Sequence, residues 1–294
     1  MKGWLRNLRN RPARPDPMVE VDAELQNPGQ NAELSDELDQ EPPKPMHHHL
    51  GQEAEPVATL DRAAFFAHLR NGPLRHHSAD QVKGTEAILD AMAGEPVSWV
   101  AYALATAWHE TGGKMLPNVE SLNYSVSGLQ RFVRWARITR VDADRLGRKP
   151  GEPPLSLARQ RAIANIIYGG SWGKRNLGNT EVDDGWTYRG RGLSHVTGRR
   201  NYAVSGAALG IDLLGNPAAM LDLQTAVREL TSGMKVGRYR PGNSFVIHLP
   251  TTGTANAMQF ARARDIINGG RDRAADIAGA ALHFQGALLR GGWA

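Results

Sequence analysis

The chain of 294 residues contains no cysteine. That removes disulfides, thiolate metal sites and cysteine nucleophiles together, leaves stability to packing, and fits synthesis in a reducing cytoplasm. No run approaches the 18 apolar residues of a membrane-spanning helix, so stable membrane insertion is not expected. The opening MKGWLRNLRNRPARP is basic but has no apolar core behind it, unlike a secretory signal. A zinc protease is also excluded: His109-Glu110 starts an HExxH pattern, but Gly113 stands where the second histidine is required.

Composition changes near residue 58. Residues 1–58 hold 8 of the 17 prolines, few aromatics and no lasting apolar periodicity, which is the composition of a disordered tail. His47 to His49 offer adventitious metal ligands there, not catalysis. Residues 59–294 have the apolar content of one large domain with a substantial core. Charge divides at the same place. The tail has 6 Lys+Arg against 11 Asp+Glu, net −5, and the remainder 29 against 19, net +10. A basic body is drawn to anionic polymers, including the acidic peptides and phosphates of a bacterial envelope. Nucleic acid is not an expected partner, because the cations are scattered and no nucleic-acid motif accompanies them.

Two stretches carry chemistry. Trp108 to Tyr124, WHETGGKMLPNVESLNY, ends an apolar helix on Glu110 and places Glu120 ten residues later. Gly112, Gly113 and Pro117 let the chain turn sharply between them, so the two acids can face each other across a cleft. Paired carboxylates around a cleft suit glycosidic-bond hydrolysis, in which one protonates the leaving oxygen and the other activates water. Both can equally be ordinary exposed acids on this fragment alone. The second stretch is Gly185 to Pro217, GWTYRGRGLSHVTGRRNYAVSGAALGIDLLGNP.

The HETGG box, a second acid followed by SLNYS, the YRGRG turn, the Thr-Gly-x-x-Asn-Tyr helix start and INGG at Asn268 occur in the order seen in glycoside hydrolase family 19. Over roughly residues 60–290 the chain resembles those chitinases and their phage endolysin relatives. The SLNYS and RGRGL wording is closer to the bacteriolytic branch.

The resemblance implies that Glu110 is the general acid, Glu120 the general base, and Thr197 the hydroxyl that helps hold the attacking water. A general acid keeps its proton at neutral pH only where apolar neighbours or a second carboxylate disfavour the anion, and Trp108 adjoins Glu110. Thr197 also fits as an N-cap for the helix that follows. Asn201 and Tyr202 match sugar-contacting positions, and Asn268 a cleft asparagine; Asn268 equally reads as a left-handed cap ahead of Gly269. Asn123 and Tyr124 offer an amide and an amphipathic ring for sugar. Arg189 and Arg191 either organise the carboxylates or pair elsewhere, and Arg191 close to Glu110 would oppose a proton-holding acid. His195 stands where the family usually has glutamine and brings a titration near neutrality. Residues 237–254, GRYRPGNSFVIHLPTTGT, have no convincing counterpart in a chitinase.

Helices are expected from the Ser78-x-x-Gln81 capping box through about Ala93, and at 97–110, 125–137, 156–168, 198–209, 217–236, 254–268 and 271–290, with stops at Gly210, Gly237 and Gly269. Phe245 to Leu249, FVIHL, is the best strand candidate. With the resemblance, this predicts an all-α, two-lobed lysozyme-like fold with a cleft between lobes. The expected activity is inverting cleavage of β-1,4 links between amino sugars, in peptidoglycan or alternatively chitin, needing no metal or cofactor. Holin lesions, a virion or a toxin secretion machine are routes by which such an enzyme reaches the wall. A wall-binding or virion structural protein without turnover is the rival class. Loss of an acid would mark it, and both acids are present.

Overall fold

A computed structural model describes residues 60–72, 77–268 and 273–293. The expected tail over 1–58 and the stop at Gly269 lie outside them. The described elements are α1 (Arg62–Leu69), α2 (Ala79–Ala91), α3 (Val97–Glu110), β1 (Asn118–Val119), α4 (Val126–Arg134), α5 (Arg140–Leu146), α6 (Leu157–Ile167), α7 (Gly170–Leu177) and α8 (Asp184–Thr187). After these come β2 (Arg191–Gly192), α9 (Arg199–Leu209), α10 (Leu223–Val236), α11 (Phe245–His248), α12 (Ala257–Arg262) and α13 (Ala274–Arg290). Short 3-10 turns precede α10 and follow α12. The fold is all-α and lysozyme-like, with separate hydrophobic clusters that mark a large and a small lobe.

Local signals set most boundaries. The Ser78–Gln81 capping box is formed in both directions, satisfying two orphan donors of α2. Gly210 and Gly237 end α9 and α10 in the left-handed region, where glycine carries no Cβ penalty. The helix expected over 217–236 is broken at Asp222, whose side chain accepts from Thr225 N–H and caps α10.

FVIHL is not a strand. Phe245–His248 is a single helical turn, with Phe245 stacked on Trp99 at 5.2 Å while Val246 and Ile247 point to solvent. With no neighbouring strand to pair, β-branched propensity does not decide the backbone.

The large lobe is built on α3, which is buried continuously from Val97 to Ala107. Its alanines let α13 lie close, and α1, α2, α10 and α12 complete a core containing Phe65, Tyr102, Leu104, Leu230, Phe260 and Phe284. Each such side chain contributes roughly 1.5–3 kcal/mol of burial. The small lobe packs α4, α5 and α6 around Leu129, Phe132, Leu146, Ile163 and Ile167. A third cluster, with Tyr188, Val196, Tyr202 and Met220, lies beneath α8, β2 and α9.

Residues 237–254 buttress this arrangement. Arg238 pairs with fully buried Glu229 on α10 at 2.5 Å, and the Tyr239 hydroxyl donates to Ser194 Oγ at 3.1 Å, next to His195. Burial holds the Glu229 carboxyl above its ordinary range, with Arg238 pulling the other way.

Candidate active site

Glu110 is the last residue of α3, and the turn beyond it is tightly built. The Thr111 hydroxyl donates to Ala107 O at 2.7 Å and accepts from Met115 N–H at 2.9 Å. Gly112 and Gly113 take φ of 61° and 83°, and Gln81 of α2 donates to Gly113 O at 2.7 Å. The chain thus reverses, as the glycine pair suggested. Oε1 of Glu110 accepts from Arg264 Nη1 at 2.9 Å. Arg264 belongs to the 3-10 turn Ala263–Ile266, and its side chain is 7% exposed against 16% for Glu110. This cation also offsets the negative end of α3, where a carboxylate is otherwise poorly placed. No protein donor reaches Oε2 of Glu110 among the described residues.

Glu120 is held by a separate set of contacts. β1 pairs antiparallel with β2 in the register Asn118–Gly192 and Val119–Arg191, and the Glu120 N–H continues the ladder to Gly190 O at 2.9 Å. Gly190 N–H returns to Glu120 Oε1 at 2.6 Å, and the Tyr168 hydroxyl donates to Oε2 at 2.8 Å. Tyr168 caps α6. Burial first, and then the Glu120 charge, push its phenol well above the ordinary tyrosine value, so it remains a donor at any working pH. An ionised carboxylate only accepts, and both oxygens of Glu120 are so engaged.

Thr197 and His195 close this side of the site. A Cβ built on Gly190 would lie 3.2 Å from His195 Cβ, 3.2 Å from Thr197 Oγ1 and 3.3 Å from Glu120 Cβ, so all three crowd one glycine. The Thr197 hydroxyl donates to His195 O at 2.9 Å, which leaves its lone pairs as acceptors. Thr197 is not the N-cap of α9. Gly198 occupies that position at φ 96°, and Asn179 Oδ1 from the preceding loop accepts from Arg199 N–H at 2.8 Å. His195 has φ 52°, and its Nε2 lies 2.5 Å from Asn118 Oδ1, which ties the loop back to β1.

The other sequence-named residues divide into supports and surface. Arg191 is turned inward, donating to Thr187 O at 2.7 Å and to the Tyr202 hydroxyl at 3.0 Å. It organises backbone, and Arg264 occupies the place beside Glu110. Tyr202 is fully buried and its hydroxyl donates to Arg189 O at 2.9 Å. Burial pushes that phenol up to about 12. Asn123 Oδ1 accepts from Leu155 N–H at 2.9 Å, and Asn201 Nδ2 donates to Thr197 O at 2.7 Å. Tyr124 is half-buried, and its hydroxyl accepts from Arg131 at 3.1 Å. Asn268 is exposed, and its backbone N–H closes on Arg264 O at 3.0 Å. Tyr168 and Arg264 are the two site residues that sequence reasoning passed over. Arg264 lies four residues before Asn268 and belongs to no motif of its own.

No family model matches the chain. A Haemophilus influenzae protein named as a glycosyl hydrolase family 19 domain-containing protein is 38% identical over 113 residues, which is 38% of this chain and 50% of that protein. The chain spans about half the length of this curated relative.

Proposed function

We propose that this protein is a glycoside hydrolase of the bacteriolytic type that cleaves β-1,4 links between amino sugars in peptidoglycan, with inversion. The observation that carries the reading is the separate fixing of two acids: Glu110 by Arg264, and Glu120 by Tyr168 and Gly190 beside the Thr197 hydroxyl. The similarity to a family 19 domain-containing protein adds a glycosidase acting on chitin or peptidoglycan as the class.

In this mechanism Oε2 of Glu110, to which no described residue donates, delivers the proton to the leaving glycosidic oxygen, and the Arg264 contact to Oε1 stabilises the carboxylate left behind. On the opposite face a water gives one proton to Glu120 and the other, as a hydrogen bond, to Thr197 Oγ1. The Thr197 hydrogen is already directed to the His195 carbonyl, so its oxygen presents lone pairs to the water. The water oxygen bonds to the anomeric carbon as the C–O bond breaks. Glu110 ends ionised and Glu120 protonated, and solvent resets both. Fixed carboxylates need no reorganisation during the step, which is where enzymes gain most electrostatically.

Mass spectrometry of products from purified peptidoglycan and from chitin oligomers, with the native chain and with Glu110→Gln, tests this. New reducing-end muropeptides that depend on Glu110 are expected. Chitin fragments alone would make the protein a chitinase, and unchanged wall cleavage by Glu110→Gln would end the two-carboxylate mechanism.

A further inference from the structure

The small lobe carries a ladder of rings and guanidinium groups that the hydrolytic step does not use. Phe132 stands edge-on to Tyr124 at 5.4 Å and to Trp135 at 5.6 Å. Arg131 lies over Phe132 and Tyr124, 4.8 and 5.3 Å from their centroids. Arg137 lies over two tryptophans, 3.2 Å from the Trp172 centroid and 5.2 Å from that of Trp135. Among the described residues no carboxylate comes within ion-pairing distance of Arg131 or Arg137. Arg137 Nε is moreover buried without a hydrogen-bond partner. Burial lowers the Arg137 pKa from its ordinary value, and the charge of Arg131 adds to that.

Half-buried Arg137, whose Nε finds no acceptor, is a cation of the kind folded proteins usually pair with an anion, and exposed Arg131 extends the positive surface beside it. Stacking occupies the faces of a guanidinium and leaves its N–H edge for a planar acceptor such as a carboxylate. The ladder also adjoins the catalytic base. Tyr168, which donates to Glu120, lies within electrostatic range of both arginines.

We infer that Arg131 and Arg137, on the Tyr124–Phe132–Trp135–Trp172 ladder, form a subsite for the carboxylates of the lactyl-peptide branches on an acidic glycan strand. The inference rests on the peptidoglycan reading and adds to it the selection of a charged strand over neutral chitin. Phe132 is buried and anchors the ladder from below, so exposed Trp135 packs against the branch while the guanidinium edges take its carboxylate. A strand gripped here is held on the Glu120 side of the cleft.

Binding to the full chain carrying Glu110→Gln tests the subsite without turnover. The probes are soluble peptidoglycan strands with free carboxylates, the same strands amidated, and a glycerol-phosphate polymer. The free-carboxylate strands are expected to bind about tenfold more tightly than the amidated ones, more so at low salt. Arg137→Gln and Arg131→Gln each bring that preference to within about twofold, and Arg137→Lys retains part of it. Arg131 is exposed, so its replacement still reports if Arg137→Gln fails to fold. Equal affinity for free and amidated strands would overturn the subsite, as would variants that weaken both equally. Tighter binding of the phosphate polymer would overturn it in favour of phosphate recognition. Failure here leaves the Glu110 and Glu120 assignment standing, because that assignment is read from products and not from affinity.

Discussion

The Tyr168 hydroxyl, at the end of α6, donates to Glu120 Oε2 at 2.8 Å across 48 residues of chain. The contact fixes the plane of the carboxylate, so in the proposed mechanism it bears on the catalytic step more than on affinity.

Tyr168→Phe removes that donor without changing the ring. Loss of one charge-assisted hydrogen bond is expected to lower kcat about ten- to a hundredfold with KM little changed. Steady-state hydrolysis of purified wall measures it, and a kcat close to that of the native chain would remove Tyr168 from the mechanism.

Gly190→Ala places a methyl group 3.2 Å from Thr197 Oγ1 and 3.3 Å from Glu120 Cβ. Both must move by a few tenths of an ångström, while the Gly190 N–H contact to Glu120 remains possible. An activity loss of about ten- to a hundredfold with an almost unchanged melting temperature is expected. Equal losses of activity and stability would make this glycine structural only.

Arg238→Ala leaves the Glu229 carboxylate buried without its cation. Exposures of 10% and 0% for the two side chains place the pair inside the protein, so the single change is expected to cost about 3–5 kcal/mol. The double change Arg238→Met with Glu229→Leu should recover most of it. Denaturant unfolding of the three proteins decides, and a double variant no better than the single would contradict the desolvation argument.

His109, next to Glu110 in the chain, lines a cavity of about 680 Å³ together with Trp108, Arg273 and Asp276. Burial pushes its imidazole below 6.5; the Glu110 charge opposes this, and Arg264 and Arg273 add to the lowering. The unfolded chain therefore takes up a proton at His109 before the folded one does. The stability His109 contributes is fully present above its unfolded value and drains away as pH falls through the folded one. His109→Gln should flatten the decline of melting temperature between about pH 7 and about pH 5. An unchanged slope would assign that decline to other groups.

What was legible in the sequence was what is local. The Ser78 capping box, the continuous apolar stretch of α3 and the glycine stops at 210 and 237 act within a turn or two of chain, and each is formed as read. Contacts made across the fold carry no such signature. Arg264 reaches Glu110 over 154 residues, and nothing in its neighbourhood distinguishes it from the other arginines. Thr197 combined two roles on paper, but a distant amide, Asn179, took over the capping and left the hydroxyl to the site. FVIHL misled because propensity describes a half-buried pleated surface, and here only Phe245 finds a partner.

The β1–β2 ladder is only two residues long on each side, yet it aligns the segment bearing Glu120 with the one bearing Gly190, His195 and Thr197. A slip of one residue in so short a pairing turns every side chain to the opposite face. One added or missing residue between Val119 and Glu120, or between Gly190 and Arg191, would therefore silence the protein while leaving its helices folded. Connectors outside the ladder, such as the one around Gly151, carry no such register in any descendant of this chain. The spacing of these few residues is a frame they must inherit intact.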